Sequence, residues 1–180
     1  TAQLLTDLAE ALAAAGHDVV IVTSHPGDAG LPQVQAQRGV TILRVASTRW
    51  TRFGLVGKTA NFVSFYFGVL WKLMLTVERK DRVVALTDPP LIGIGAWLVA
   101  RLCGARIYHW VQDIYPEIAA VVTGQPWLRV VTPLRNLAWR RSDGCITLGS
   151  DMASTLEHAG VAAERITLSP NWAPAGLGLP

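Results

Sequence analysis

Apolar residues recur along this chain in two rhythms, one helical and one extended. Between residues 2 and 15 (AQLLTDLAEALAAA), Leu5, Leu8 and Leu12 share the spacing of one helix face, and Gly16 supplies a stop. The next run, Val19 to Thr23 (VVIVT), is continuous and β-branched, which predicts a short buried strand. His25, Pro26, Gly27, Gly30 and Pro32 predict a loop, and Val40 to Val45 a second strand. Residues 46–58 (ASTRWTRFGLVGK) read as a mobile loop before a long apolar helix at 59–78. VVALT at 83–87 predicts a strand closed by Asp88-Pro89-Pro90, with a helix from Leu91 to Leu102 ended by Gly104. RIYHWV at 106–111 is the next strand, followed by a short helix near 115–122 and a longer one near 126–141. Cys145 to Leu148 predicts a strand, Ser150 the cap of a helix ending near Ala159, and Ile166 to Leu168 a last short strand.

Strand and helix thus alternate from end to end, which predicts an α/β fold with a parallel sheet covered by helices on both faces. Residues 1–168 form one domain on this reading, and 169–180, rich in Gly and Pro, form a linker. The chain has 180 residues, 51% of them apolar and 16% charged, enough for one globular core and too oily for disorder. Its net charge of +3 suits an anionic surface or a phosphate-bearing ligand. Nucleic acid is not an expected partner, because only Arg129, Arg135, Arg140 and Arg141 approach a cationic cluster.

Cys103 and Cys145 lack a CxxC spacing and read as buried free thiols of a reducing compartment. His17, His25, His109 and His158 show no metal-ligand spacing, so no metal and no cofactor is expected. No charged leader with a signal-like apolar core precedes the first helix, so no secretory signal is expected.

The helix at 59–78 raises the question of lipid. Its exceptions to apolarity, Ser64, Gly68, Lys72 and Thr76, recur every four residues as one narrow stripe. Lys72 near a membrane centre would cost about 2.5 to 3.5 kcal/mol, and a span would separate strands that share a sheet. The segment therefore predicts a helix with one face on the core and the other towards a partner or lipid. Trp71 and the basic 49–58 loop suit attachment at a membrane surface.

Candidate chemistry gathers at the carboxyl ends of the strands, where parallel sheets bind their ligands. Asp113 follows the 106–111 strand, with Trp110 and Tyr115 nearby to lower the local dielectric; it can accept a proton or a sugar hydroxyl's hydrogen bond, or simply cap the next helix. Glu117 lies one turn on, where the helix dipole favours negative charge. Asp88 of TDPP and the Ser150-Asp151 pair offer the same choice between ligand contact and capping. His109 alternates with Ile107 and Val111, which places it on a core face. Gly93 and Gly95 are explained by close helix packing rather than by a phosphate loop.

The string TDPPLIGIGAWLVARLCGARIYHWVQDIYPE resembles the amino-terminal half of bacterial family 4 glycosyltransferases of the GT-B fold, particularly those that build surface polysaccharides on lipid carriers. LLTDLAEALAAAGHDVVIVTSHP is similar to that family's first helix and second strand, RNLAWRRSDGCITLGSDMA to its sixth-strand region, and SPNWAP to its crossover into a second domain. In the family a first strand with a glycine-rich turn precedes the segment that starts here at Thr1, and a donor-binding domain follows. The resemblance implies a Rossmann-like, amino-terminal half of a GT-B fold without its first strand. It implies a retaining, metal-free transfer of a sugar from a nucleotide-sugar donor to a lipid-linked or saccharide acceptor, at the inner face of the plasma membrane.

On the resemblance, Asp113 positions the acceptor or takes its proton, with Glu117 in support. Arg49, Arg52 and Lys58 would grip an acceptor pyrophosphate. Asp88, His109, Ser150 and Asn171 complete the expected substrate contacts. Two rival readings share the alternation of strand and helix: a dinucleotide-dependent oxidoreductase, which VVIVTSHPG disfavours by lacking a ribose-binding acidic residue, and a non-catalytic membrane-associated module.

Overall fold

The computed structural model describes residues 2–25, 30–46, 48 and 54–172, with the backbone alone at Ala2, Leu55, Val56 and Lys58. They fall into two compact units, residues 1–75 with 172–180 and residues 76–171.

The first unit contains helix α1 (Ala2–Ala14), strands β1 (Val19–Ser24), β2 (Val34–Gln37) and β3 (Val40–Val45), and most of helix α2 (Gly54–Thr76). Gly16 stops α1 in the left-handed conformation (φ +88°), and the helix's inward face is Leu5, Leu8 and Ala9, with Leu12 exposed. β1 runs parallel to β3, pairing Val19 with Val40 through Ser24 with Val45. β2 is antiparallel to β3 and at the edge of a three-stranded sheet ordered β1-β3-β2. It replaces part of the expected 25–39 loop. The two strands meet through Arg38 and Gly39, both at positive φ (48° and 79°), the two-residue turn that matches strand twist.

Helix α2 starts at Gly54 rather than at residue 59, so 54–58 is helix where a loop was expected. Of its narrow stripe of small and polar residues, Ser64 and Gly68 face β3 and the segment that follows it, while Thr76 is exposed. A Cβ at Gly68 would lie 2.3 Å from Val45 Cγ1, and the Ser64 hydroxyl lies 3.0 Å from both the backbone amide and the hydroxyl of Thr48. The larger apolar residues Val63, Phe67, Trp71 and Leu75 are exposed instead, on one face by their spacing. No helix of the described residues is long and apolar enough to cross a membrane.

The second unit is a parallel four-stranded sheet, β4 (Arg82–Leu86), β5 (Arg106–Val111), β6 (Gly144–Thr147) and β7 (Ile166–Leu168), in that order. The connections are α3 (Ile92–Cys103), then α4 (Glu117–Thr123) with a 3-10 segment Pro126–Val131 and α5 (Thr132–Arg140), then α6 (Ser150–His158). The single helix expected at 126–141 is thus two pieces, broken just ahead of Pro133. Ile107, Val111 and Leu156 are fully buried, and Val111, Trp139, Cys145, Leu156 and Val161 form one cluster. Burial pushes the Cys145 thiol up to about 11, partly offset by a hydrogen bond from Ser142, so it stays protonated and unreactive. The fold is α/β with a Rossmann-like parallel sheet; the described strands form two sheets, one in each unit, where a single one was expected.

Candidate functional site

At the carboxyl ends of β4 and β5 a small cavity of about 30 Å³ opens among Thr87, Leu91, Gly93, His109, Asp113, Tyr115, Arg135 and Trp139. That is room for one water-sized group. Asp113 is half-buried on its wall. It does not cap the next helix: α4 begins after Pro116 and has no side-chain cap bond. Of its expected aromatic neighbours, Tyr115 lines the cavity, whereas Trp110 is buried and is not among the lining residues.

Asp88 is exposed and lies outside the cavity wall, which Thr87 joins in its place. It caps nothing either, since α3 starts after Leu91 without a side-chain cap bond. Leu91 itself carries φ +66°, a left-handed conformation costing roughly 1 to 2 kcal/mol for a residue with a Cβ. It lines the cavity, so the strained turn after β4 is part of the wall.

Arg135 is the residue on which this region turns, and its role was not foreseen. It is 5% exposed, on α5 beside Ala138 and Trp139. Its guanidinium lies 4.1 Å from the Trp139 ring centroid and donates to the Tyr115 carbonyl at 2.6 Å. The same nitrogen pairs with the Glu117 carboxylate, and Asn136 Oδ1 accepts from its other nitrogens at 3.0 and 2.7 Å. A buried guanidinium needs such partners, because leaving it unpaired costs several kcal/mol. Glu117 therefore fixes the turn that carries Asp113 by tying its far end to α5. A signal did exist in the sequence: Arg135 shares a helix face with two buried residues, and a cation there requires a carboxylate.

His109 sits on the buried face of β5 with Ile107 and Val111, as its alternation predicted, and is 4% exposed. Loss of hydration lowers its pKa to about 4, against which a hydrogen bond to the Ala138 backbone acts weakly, so the ring is neutral near pH 7. Its Nε2 has no hydrogen-bond partner. Gly93 makes room for the ring: a Cβ there would lie 2.7 Å from Nδ1 and 2.9 Å from Cε1. Close packing thus accounts for Gly93.

The remaining expected contacts do not converge here. Ser150 is the exposed first residue of α6, whose cap position is Gly149, so the expected serine cap is absent. Asn171 is exposed beyond β7. Arg49 and Arg52 lie outside the described residues, as does the side chain of Lys58.

Residues 1–172 match the model of the glycosyl transferase 4-like domain, and the chain belongs to that family. It is 26% identical over 185 aligned residues to the "Putative colanic acid biosynthesis glycosyl transferase WcaI" of Escherichia coli (strain K12), covering 92% of this chain and 45% of that protein. The chain spans less than half the length of this relative. Family membership sets aside the oxidoreductase reading.

Proposed function

We propose that this chain is the acceptor-side part of a glycosyltransferase of surface-polysaccharide synthesis. The carrying observation is the cavity at the ends of β4 and β5, lined by Asp113 and by His109, whose buried Nε2 has no partner, in a chain of this family. Asp113 accepts a hydrogen bond from the acceptor hydroxyl and draws off its proton as the oxygen bonds the sugar's anomeric carbon. The bond from that carbon to the donor's phosphate oxygen breaks, releasing the nucleoside diphosphate. His109, held neutral, keeps a lone pair or an N–H for a group in the cavity, and Glu117 with Arg135 holds the turn. Arg49, Arg52 and Lys58 are assigned to an acceptor pyrophosphate on sequence grounds. Residues 1–168 act as one acceptor-side domain and 169–180 lead towards a donor-binding domain.

The reaction retains anomeric configuration, and the acceptor is lipid-linked. The protein works at the inner surface of the plasma membrane, for which the exposed Phe67 and Trp71 of α2 supply apolar contact. The test is transfer by the full-length protein from radiolabelled nucleotide sugars to total membrane lipid. Label in a mild-acid-labile, lipid-extractable product is expected. Label released only as free sugar, or no turnover of any donor, contradicts the reading.

A further inference from the structure

Two polar side chains of the second unit lack partners, and both line the same cavity. His109 is 4% exposed, and its Nε2 makes no hydrogen bond. Asp113 is half-buried, and its carboxylate makes no hydrogen bond or ion pair with any described residue. Buried polar atoms are paired almost without exception, with protein or with ordered water, so a deeply buried ring nitrogen left alone requires an explanation. The ring is held in place. Gly93 packs along its Nδ1–Cε1 edge so closely that a Cβ would lie 2.7 Å from Nδ1 and 2.9 Å from Cε1. At about 30 Å³ the cavity is too small for a sugar ring, yet it exceeds the roughly 10 to 15 Å³ that one water needs.

Size alone does not fill such a space, because an apolar cavity stays dry. The polar lining decides what enters. Thr87 and Arg135 share the wall with His109 and Asp113. A carboxylate only accepts hydrogen bonds, and a neutral imidazole has one donor and one acceptor nitrogen. A guanidinium only donates, and Arg135 has used four of its five N–H groups, one each on Tyr115 and Glu117 and two on Asn136. An anion would face Asp113 and a cation Arg135, whereas a small neutral group that both donates and accepts suits the whole wall. We propose that the cavity holds a single buried water, hydrogen-bonded to His109 Nε2 and to the Asp113 carboxylate, and that His109 thereby acts as a positioning residue for Asp113. The acceptor hydroxyl reaches the same carboxylate from the cavity's open side, since two oxygens offer lone pairs enough for both. Held through the water, Asp113 keeps one orientation without a protein partner of its own. This role of His109 rests on the proposed handling of the acceptor by Asp113, whereas the water site itself does not.

The test has a structural and a kinetic part. A high-resolution crystal structure of the full-length protein without substrates reads the water directly, whatever the protein transfers. Density for a water within hydrogen-bond distance of both Nε2 and an Asp113 oxygen is expected. No water there, or one that meets only one of the two side chains, would overturn the proposal. In sugar transfer, His109→Leu keeps the bulk and loses the hydrogen bond, so kcat should fall about tenfold to a hundredfold while KM for the nucleotide sugar stays the same. His109→Gln keeps a polar end and should recover part of that loss. Wild-type kcat in a folded His109→Leu would overturn the positioning role, and so would a His109→Gln as slow as the leucine variant, which would mark His109 as packing only. Wild-type protein that transfers no sugar would overturn the proposed function and the positioning role with it, while the density still decides the water site.

Discussion

His109 shows most directly how one residue's surroundings set its chemistry. Its ordinary pKa of 6.5 falls to about 4 because burial penalises the cation. In the unfolded chain the ring takes up a proton as pH drops below about 6.5, and the folded protein resists until about 4. Stability from this site is therefore complete above pH 6.5 and declines by about 3 kcal/mol towards pH 4, at up to ~1.4 kcal/mol per pH unit. Denaturant unfolding of wild type and His109→Gln between pH 7 and 4.5 should show this slope in the wild type only. Equal slopes in both proteins would mean that burial does not hold the ring neutral in the folded protein. His109 and Asp113 were both legible in RIYHWVQD, one from alternation, the other from its place after a strand. For Arg135 the sequence signalled a cation on a buried helix face, but its partner Glu117 lies 18 positions away and only the fold shows which carboxylate it meets.

Among elements, the parallel strands were legible because a short, continuous β-branched run suits little besides a strand, although β1 is not the buried strand this predicts, since Val20 is 47% exposed. β2 was not. Gln35 and Gln37 are polar positions on an edge strand, and Arg38-Gly39 resembles any polar turn until the partner strand is known. Helix α2 held a subtler difficulty: Ser64 and Gly68 seat on β3 and the segment after it while Val63, Phe67, Trp71 and Leu75 are exposed, so its apolar content was a poor guide to its inward side. Gly68 tests this. Alanine in a helix interior is favoured over glycine by about 1 kcal/mol, but its Cβ would meet Val45, a side chain stiff at χ1. Overpacking should win, and Gly68→Ala should lower unfolding free energy by about 1 to 3 kcal/mol. Stabilisation, measured in urea, would show that α2 does not seat on β3 this way.

For the whole molecule, the order of elements was readable because strand-helix alternation constrains topology strongly. The division of the described strands into a β1-β3-β2 sheet and a β4-β5-β6-β7 sheet was not, since a sequence shows strands and not which of them pair. The fold places a carboxylate, a neutral imidazole and a strained leucine turn around one small space, and the proposed function assigns that space to the acceptor. The central claim is that Asp113 handles the acceptor hydroxyl there. Replacing it by asparagine keeps shape and removes the charge, so sugar transfer by the full-length protein should fall about a hundredfold or more while its unfolding curve stays put. The decisive measurement is the rate of label transfer from nucleotide sugar by Asp113→Asn beside wild type. A loss of that size with intact folding is predicted, and transfer at the wild-type rate would contradict the assignment.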